Sequence, residues 1–272
     1  MAHVTIIGAG IVGACSACFL QKAGHEVTLI DRVEPGEGCS FGNAGVISTP
    51  GSSVQPPSPS LLRDIPKMLF DREATLALRW RYLLRFSPWL VTMMRGCTTA
   101  DQKRTAEAMA SLLSGTTAAY DAIVRNTAAD AFMRRNGSLG IYRTQEQFED
   151  DRWRRDWNAE LGATQDELTT DELRQLEPSL SEEVKRAVYF PLAYSTTNPA
   201  MLTRAIAEEV EAEGGKVILA DVTDLVVENG CPTEVKTDQG SFPVDRLVVA
   251  AGAFSHRVAR MMGIKVLLET ER

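Results

Sequence analysis

Long apolar stretches are missing from this sequence, and no uninterrupted apolar run reaches the roughly 18 residues that a membrane-spanning helix needs. The first strand pattern begins at about His3, which leaves no room for the charged and apolar regions of a signal peptide. The 29 Lys and Arg residues are outnumbered by 36 Asp and Glu residues. The formal net charge of −7 argues against a nucleic-acid surface, which needs clustered cations. These features predict a cytoplasmic protein, either free or bound peripherally to the inner membrane.

Cysteine and histidine are few. Five cysteines scattered over 272 residues form no disulfide framework and favour a reducing compartment. Cys15 and Cys18 make a C-x2-C pair, but no further ligands follow at zinc-site spacing, so we expect two buried side chains on one helix face and no metal. His3, His25 and His256 are expected to be solvated or hydrogen-bonded rather than catalytic.

The chain is long enough for two domains. The Pro- and Ser-rich segment 49–66 fits neither a helix interior nor a central strand and predicts the exit from the first domain. Helical patterns follow over 75–94 and 101–135, then a strand over 137–144 and a short Thr-capped helix over 169–180.

The best-marked helix lies in residues 196–215. Asn198 can cap it, Pro199 fits its first turn, and Gly214 ends it. Three strands are predicted after this helix, in the segments "KVILADVTDLVVENG", "EVKTDQG" and "FPVDRLVVAAG".

A glycine-rich turn, "IIGAGIVG", lies between a strand over 3–8 and a helix that ends near Gly24. A second strand over 25–32 completes a βαβ unit, which predicts a parallel sheet. The GxGxxG spacing gains its meaning from this context. Gly8 permits the tight turn, Gly10 lets a diphosphate approach the backbone, and Gly13 lets helix and strand pack closely. The helix N-terminus then offers N–H groups to the diphosphate.

Asp31 ends the second strand, where an acidic residue accepts hydrogen bonds from the adenosine ribose. Its carboxylate disfavours the 2′-phosphate of NADP, although Arg32 beside it weakens this argument. The turn and the acid together do not separate NAD from FAD.

A second glycine-rich loop follows at once, "GCSFGNAGVIS" over 38–48. With it, the chain resembles the FAD-dependent D-amino acid oxidase/dehydrogenase family, most closely the bacterial D-amino acid dehydrogenases. The resemblance covers nearly the whole chain. It rests on "GAGIVG" with Asp31, the "SFGNAG" loop, the Pro-rich exit, "GSLGIY", "TTNPAML" and "VDRLVVAAGAFS".

The resemblance implies an α/β fold (α+β overall), with a Rossmann-like FAD-binding domain of GR2 type that a substrate (cap) domain interrupts. The implied segments are 1–58 and 194–267 for the FAD-binding domain, 59–193 for the substrate domain with a helical insertion, and 268–272 for the start of a further part. Family members continue well beyond "VLLETER", so we expect the N-terminal part of a longer enzyme.

The resemblance also assigns the FAD contacts. The second loop lies along the isoalloxazine ring, Val222 meets the adenine through its backbone, and the small residues after the last strand approach the cofactor. The implied contact residues are Gly8, Gly10, Ile11, Val12, Gly13, Asp31, Arg32, Ser40, Asn43, Ala44, Gly45, Val46, Val222, Ala250, Ala251 and Gly252.

The implied reaction oxidises the C–N bond of a D-amino acid or similar small amine, by hydride transfer from the α-carbon to flavin N5. Electrons then pass to a quinone or to oxygen. No acid–base pair is required if the amine arrives neutral, and no catalytic residue is named. A sarcosine- or glycine-type amine oxidase shares all of these motifs. A non-catalytic FAD-binding module remains a further alternative.

Two features extend the implied function. Tyr142 and Arg143, on the strand pattern "GIYRT", are candidates to face the substrate pocket. The arginine that grips the substrate carboxylate in the family has no counterpart here, so no carboxylate clamp is named. The stretch 76–94 mixes Trp and Leu with Arg79, Arg81 and Arg85 at helical spacing. It fits either a helix lying on a membrane surface or a helix packed in the substrate domain.

Overall fold

The computed structural model describes residues 1–50, 80–95 and 98–268. Its strands, in chain order, are β1 His3–Ile7, β2 Glu26–Asp31, β3 Val46–Ile47, β4 Met133–Arg134, β5 Ser138–Tyr142, β6 Asp166–Leu168, β7 Arg186–Phe190, β8 Tyr194–Thr196, β9 Lys216–Leu219, β10 Val222–Glu228, β11 Cys231–Thr237, β12 Gly240–Pro243 and β13 Arg246–Val249. Its helices are α1 Ile11–Lys22, α2 Trp80–Arg95, α3 Thr99–Leu113, α4 Thr116–Val124, α5 Gln145–Asp150, α6 Arg152–Glu160, α7 Thr170–Leu176, α8 Pro199–Ala212 and α9 Ser255–Met261. Short 3-10 turns lie at Ala128–Phe132 and Gly252–Phe254.

The chain divides into two units. The first comprises Met1–Ile47, Ala118–Arg135 and the chain from Tyr194 onward, and the second comprises Ser48–Thr117 and Asn136–Ala193. The predicted domain boundary at 58/59 lies outside the described residues.

Two stretches differ from the predicted domains. Residues 48–50, predicted in the FAD-binding segment 1–58, belong to the second unit. Residues 118–135, predicted within the substrate domain, belong to the first unit. The reason is burial, because Ile123, Val124 and Met133 enter the same apolar core as Ala14 of α1.

A four-stranded parallel sheet in the order β13-β1-β2-β9 forms the centre of the first unit. Side chains alternate across each strand, so one face presents Ile6 and Leu29 to α1 and α8. The other face presents Ile7 and Ile30 to a core that Val235 of β11 and α9 complete. Because both faces are covered, β1 and β2 each have four buried residues in succession, which are apolar except for Thr5 and Thr28. The predicted Rossmann-like fold is therefore confirmed.

Two sequence predictions need correction in this unit. The segment "KVILADVTDLVVENG", predicted as one strand, forms β9 and β10, which belong to different sheets. The chain turns at Ala220 and Asp221, where Ala220 N–H donates to Asp31 O and Asp221 N–H donates to Asp238 Oδ1. In the same way "FPVDRLVVAAG" divides between β12 and β13.

The predicted helix over 101–135 is divided into α3, α4 and the turn Ala128–Phe132. Asn126 adopts a positive φ of 66°, which no helix interior accommodates. The helix after "TTN" is confirmed. Asn198 caps α8 by accepting from Met201 N–H at 3.1 Å, and Pro199 is its first residue.

The second unit contains a three-stranded antiparallel sheet in the order β5-β7-β6, together with α2, α3, α5, α6 and α7. The predicted Thr cap is confirmed at Thr169, which forms a capping box with Glu172 at the start of α7. Among the helices in the described part of the chain, none is long and apolar enough to cross a membrane.

Replacing Gly13 with Ala tests the close packing of α1 on β1. A Cβ atom at Gly13 would lie 1.8 Å from Gly8 O, so the helix would have to move away from the strand. We expect the free energy of unfolding, measured by urea denaturation without ligand, to fall by about 2 kcal/mol. Gly115→Ala is the matched control, because a Cβ atom there meets nothing within 4 Å. Equal losses in the two variants would contradict the packing argument.

Candidate functional site

The carboxyl edge of the parallel sheet gathers most of the predicted site residues. The glycine turn follows β1, Asp31 ends β2, Ala250 follows β13, and Val222 lies three residues beyond β9. Carboxyl ends of parallel strands meet at one edge, and ligands of such sheets bind where the strand order reverses. In the order β13-β1-β2-β9, strands β2 and β9 lie on one side of β1, and β13 lies on the other side of β1. The reversal therefore falls at the glycine turn.

The N-terminus of α1 suits an anion. The N-cap residue, Gly10, has no side chain that could cap the helix, and the first turn of α1 contains no acidic residue. Ala14 N–H makes the first intrahelical bond, to Gly10 O, so the amides of Val12 and Gly13 have no intrahelical acceptor. Free amides and the helix dipole together favour a phosphate at this point.

Gly10 is the position where the fit of a diphosphate can be tested. Its φ is −71°, and a Cβ atom there would meet only Ser40 Oγ, at 3.5 Å. The protein's own packing therefore does not require glycine at this position, in contrast to Gly13. The bare backbone leaves room for a ligand, and the residues present fit the diphosphate of a dinucleotide.

Asp31 lies in a cleft of about 340 Å³ beside the turn. One carboxylate oxygen accepts from Ala9 N–H at 2.7 Å, and the other faces Val33 N–H at 3.4 Å. The long second contact leaves acceptor capacity for ribose hydroxyls. The cleft is acidic, since it is also lined by Glu34, Glu208 and Glu211 and by one cation, Arg204. Such a lining repels a 2′-phosphate and supports the prediction against NADP.

The loop after β2 folds back onto the glycine turn. Gly36 N–H donates to Ala9 O at 3.2 Å, and Ser40 Oγ accepts from Ile11 N–H at 3.0 Å. Ser40 is buried. The sequence grouped Ser40 with the flavin-ring contacts, whereas the structure places its hydroxyl at the start of α1, beside the candidate diphosphate position.

The rest of this loop is braced internally and presents small residues outward. Asn43 Oδ1 accepts from Gly45 N–H at 2.9 Å, while Asn43 Nδ2 donates to Cys39 O and Ser40 O. Ala44 is exposed, and Val46 is 61% exposed. Asn43 thus shapes the loop, and the exposed backbone beside it could face a planar ring.

The loop ends on β8. Gly45 O accepts from Thr196 N–H at 2.8 Å, and β3 pairs antiparallel with β8. Gly45 has a φ of 68°, and a Cβ atom there would lie 2.5 Å from Thr196 O. Strand β8 is not predictable from the sequence, because a three-residue strand carries no periodicity of its own.

The remaining predicted contacts lie at the same edge. Ala250 N–H donates to Ile7 O at 2.8 Å, which sets the segment Ala250–Gly252 beside the glycine turn. Val222 is half-buried at the start of β10. The guanidinium of Arg32 stacks on Phe254, 4.3 Å from the ring centroid, so it points to the turn after β13.

Other candidate residues have internal partners. Tyr142 and Arg143 belong to the second unit, where Tyr142 OH donates to Asp151 and Arg143 N–H donates to Gln147. His3 Nε2 lies 2.9 Å from Thr28 Oγ1, and His256 Nδ1 lies 2.7 Å from Ala253 O.

The two cysteines of α1 are not arranged for metal or nucleophilic chemistry. Burial raises the pKa of Cys15 to about 12 and that of Cys18 to about 11. The thiolate form that a metal site or a nucleophile requires is therefore disfavoured. Within the part of the chain that the structure describes, no group of three or more His, Cys, Asp or Glu side chains could hold a metal ion.

This fold and edge define a dinucleotide-binding domain, and comparison with known proteins identifies its family. Residues 3–271 match the DAO family, described as FAD dependent oxidoreductase. The chain belongs to this family. The predicted family is confirmed, and FAD, the predicted cofactor, is the cofactor of the family.

Similar proteins include a D-amino-acid oxidase of Bradyrhizobium diazoefficiens, 35% identical over 99% of this chain and 64% of its own length. A D-amino acid dehydrogenase of Agrobacterium fabrum is 32% identical over 96% of this chain and 63% of its own length. The chain therefore spans less than two thirds of these relatives.

The crystal structure of glycine oxidase from Bacillus cereus superimposes with a TM-score of 0.60, at 21% identity, over 96% of this chain and 58% of that one. L-Amino acid deaminase from Proteus myxofaciens gives a TM-score of 0.64 at 18% identity, over 97% of this chain and 48% of that one. At these identities the likeness concerns the fold.

Replacing Ser40 with Ala tests the contact between the two loops. The variant leaves Ile11 N–H without its acceptor, and we expect a loss of about 1 kcal/mol in the free energy of unfolding. The measurement is urea denaturation of the ligand-free chain. Cys39→Ala removes one heavy atom from the exposed neighbouring residue and should change stability little. The contact has no structural importance if the Ser40 variant is as stable as the control.

Proposed function

We propose that the chain binds FAD and forms part of an oxidoreductase that oxidises the C–N bond of a D-amino acid or similar small amine. The observation that carries the proposal is the contact between the two glycine-rich loops at the carboxyl edge. The first loop offers amides to a diphosphate, and the second offers bare backbone to a ring. The curated relatives, named D-amino-acid oxidase and D-amino acid dehydrogenase, support the substrate class.

The residues have separate roles in this proposal. Val12 and Gly13 N–H groups hold the diphosphate, and Asp31 accepts from the ribose hydroxyls. Asn43 holds residues 44–46 against the ring, and the apolar side chains of Phe41 and Val46, 69% and 61% exposed, help to exclude water from it. When bound, FAD supplies the acceptor for the hydride that leaves the α-carbon of the amine. The protein's contribution is to hold, orient and desolvate.

A glycine- or sarcosine-type amine oxidase is the alternative substrate assignment. The similarity to glycine oxidase from Bacillus cereus is one of fold and does not favour it over a D-amino acid. The FAD-loaded chain should be assayed with D-alanine, L-alanine, glycine and sarcosine, with oxygen and then anaerobically with a quinone. Preferential bleaching of the visible absorption of bound FAD by D-alanine supports the proposal. Preferential bleaching of the bound flavin by glycine or sarcosine supports the alternative. If no amine bleaches the flavin, the chain is an FAD-binding module without amine oxidation.

Asp31→Asn tests the cofactor site separately from turnover. We expect this variant to weaken FAD binding by about tenfold, because a neutral amide is a poorer acceptor for ribose hydroxyls than a carboxylate. Isothermal titration calorimetry gives the dissociation constants.

Glu26→Gln, at the amino end of the same strand, is the control for that titration, and its affinity should equal that of the unsubstituted chain. An Asp31 variant that binds FAD as tightly as the control would remove Asp31 from the site. A chain that binds no FAD at all would end the proposal.

We further propose peripheral membrane contact through α2. The helix is 16 residues long, and its described apolar side chains include Leu84, 90% exposed, and Trp89, 55% exposed. Of the arginines predicted to face lipid headgroups, Arg79 and the side chains of Arg81 and Arg85 lie outside the described residues. Exposed Leu and Trp side chains on an arginine-rich helix are typical of helices that lie on anionic bilayers. This placement would suit a quinone as the electron acceptor.

Cosedimentation with phosphatidylglycerol vesicles tests this contact. Trp89→Ala should release at least half of the bound chain, because an interfacial Trp supplies much of the apolar anchoring. Trp153→Ala removes a comparably exposed Trp, at 52%, from α6 and should leave binding unchanged. A chain that stays in the supernatant with these vesicles would contradict the membrane contact.

A further inference from the structure

We propose that Asp121, Arg135 and Tyr194 form a positioning network that holds the second glycine-rich loop in the shape a flavin ring requires. The inference rests on the proposed function, since it concerns the ring end of the FAD site. It gives a role to the segment 118–135, which belongs to the first unit although the sequence predicted it in the substrate domain.

Asp121 is the centre of the network. Its Oδ1 accepts two charge-assisted hydrogen bonds from the same guanidinium group, from Arg135 Nε at 3.0 Å and from Arg135 Nη2 at 2.9 Å. Its Oδ2 accepts from Tyr194 OH at 3.1 Å and from Arg125 Nη2 at 2.8 Å. Arg135 also donates to Asp130 Oδ1 at 2.7 Å. The carboxylate of Asp121 thus joins α4, the residue after β4 and the first residue of β8.

The electrostatics favour a fixed arrangement. The side chains of Asp121 and Arg135 are only 20% and 25% exposed, so solvent screens the pair less than an ordinary surface ion pair. Burial alone raises the pKa of Asp121, but hydrogen bonds from Arg125, Arg135 and Tyr194 outweigh it and lower the pKa. The guanidinium of Arg135 also lies over the ring of Tyr194, 5.5 Å from its centroid. Tyr194 is thereby held through both its hydroxyl and its ring.

Strand β8 connects this network to the loop. It lies between β3 and β4, with Tyr194 opposite Ile47 and Thr196 opposite Met133. Thr196 N–H donates to Gly45 O, and Gly45 fits there only because it lacks a Cβ atom. A shift of β8 would therefore move the end of the loop directly, including the backbone of Val46.

The first glycine-rich loop is held by other contacts. Gly8 N–H donates to Ile30 O, Ala9 N–H donates to Asp31, and Ile11 N–H donates to Ser40. These bonds belong to the parallel sheet and to the start of the second loop. Loosening β8 should therefore disturb the ring end of the site more than the diphosphate end.

The test compares FAD with ADP, which carries the diphosphate and adenosine but no ring. Dissociation constants for both are measured by calorimetry on the unsubstituted chain, Asp121→Asn and Tyr194→Phe. We expect FAD binding to weaken about tenfold in the Asp121 variant and about threefold in the Tyr194 variant. ADP binding should change less than about twofold, which is below the effect of one hydrogen bond.

Tyr189→Phe is the matched control. Tyr189 OH donates to Asn136 O at 3.1 Å within the second unit, so the same substitution removes a tyrosine hydrogen bond that does not reach β8. The visible absorption of bound FAD provides a second readout, because a displaced loop changes the environment of the ring. Its fine structure should be lost in the Asp121 and Tyr194 variants and kept in the Tyr189 variant.

The outcomes separate the two proposals. If the unsubstituted chain binds neither FAD nor ADP, the proposed function fails. If it binds both, and the network variants weaken both equally or neither, the positioning role fails while the proposed function stands. Should Asp121→Asn not fold, judged by circular dichroism, Tyr194→Phe alone decides, because it keeps the ring and the charged pair. A selective loss of FAD affinity in Tyr194→Phe supports the inference.

Discussion

The hydrogen bond from Ile11 N–H to Ser40 Oγ is the contact on which the site depends. It closes the loop after β2 over the start of α1, so that two stretches 29 residues apart share one surface. Without it, the glycine turn would be an ordinary anion site at a helix N-terminus, and the start of the second loop would be held to that turn only through the backbone bond from Gly36 N–H to Ala9 O. With it, a single extended ligand can reach both stretches. The constraint is local, because every residue it involves lies in the first unit.

The glycines of the two loops serve different purposes. Gly13 is required by the protein itself, since a Cβ atom there would meet the backbone of Gly8. Gly45 is required by its conformation and by Thr196 O. Gly10 is different, because a Cβ atom there would meet only Ser40 Oγ, at an ordinary contact distance of 3.5 Å. Because Gly10 also stands at the start of α1, where the amides of Val12 and Gly13 have no intrahelical acceptor, the open space beside it points to a ligand.

Sequence reasoning predicted the parts of the fold that local patterns determine. The βαβ unit, the caps at Thr169 and Asn198 and the acidic residue at Asp31 all follow from short motifs with a physical cause. The division of the 216–230 segment into two strands was not predicted, because apolar residues continue through the turn at Ala220 and only pairing with different sheets separates the strands.

The role of residues 118–135 could not be read from the sequence either. Their place in the first unit depends on burial against α1 and on the hydrogen bond from Tyr194 OH to Asp121, both of which are contacts between residues far apart in the sequence. Ser40 illustrates the same limit within the site. Its place in the loop was evident, but its partner at Ile11 was not.

The most direct test of the account is a crystal structure of the chain with FAD. The account predicts diphosphate oxygens within hydrogen-bonding distance of Val12 and Gly13 N–H, with the isoalloxazine ring against the backbone of residues 44–46. A structure in which the diphosphate lies away from the start of α1, or in which the ring does not touch that loop, would contradict it.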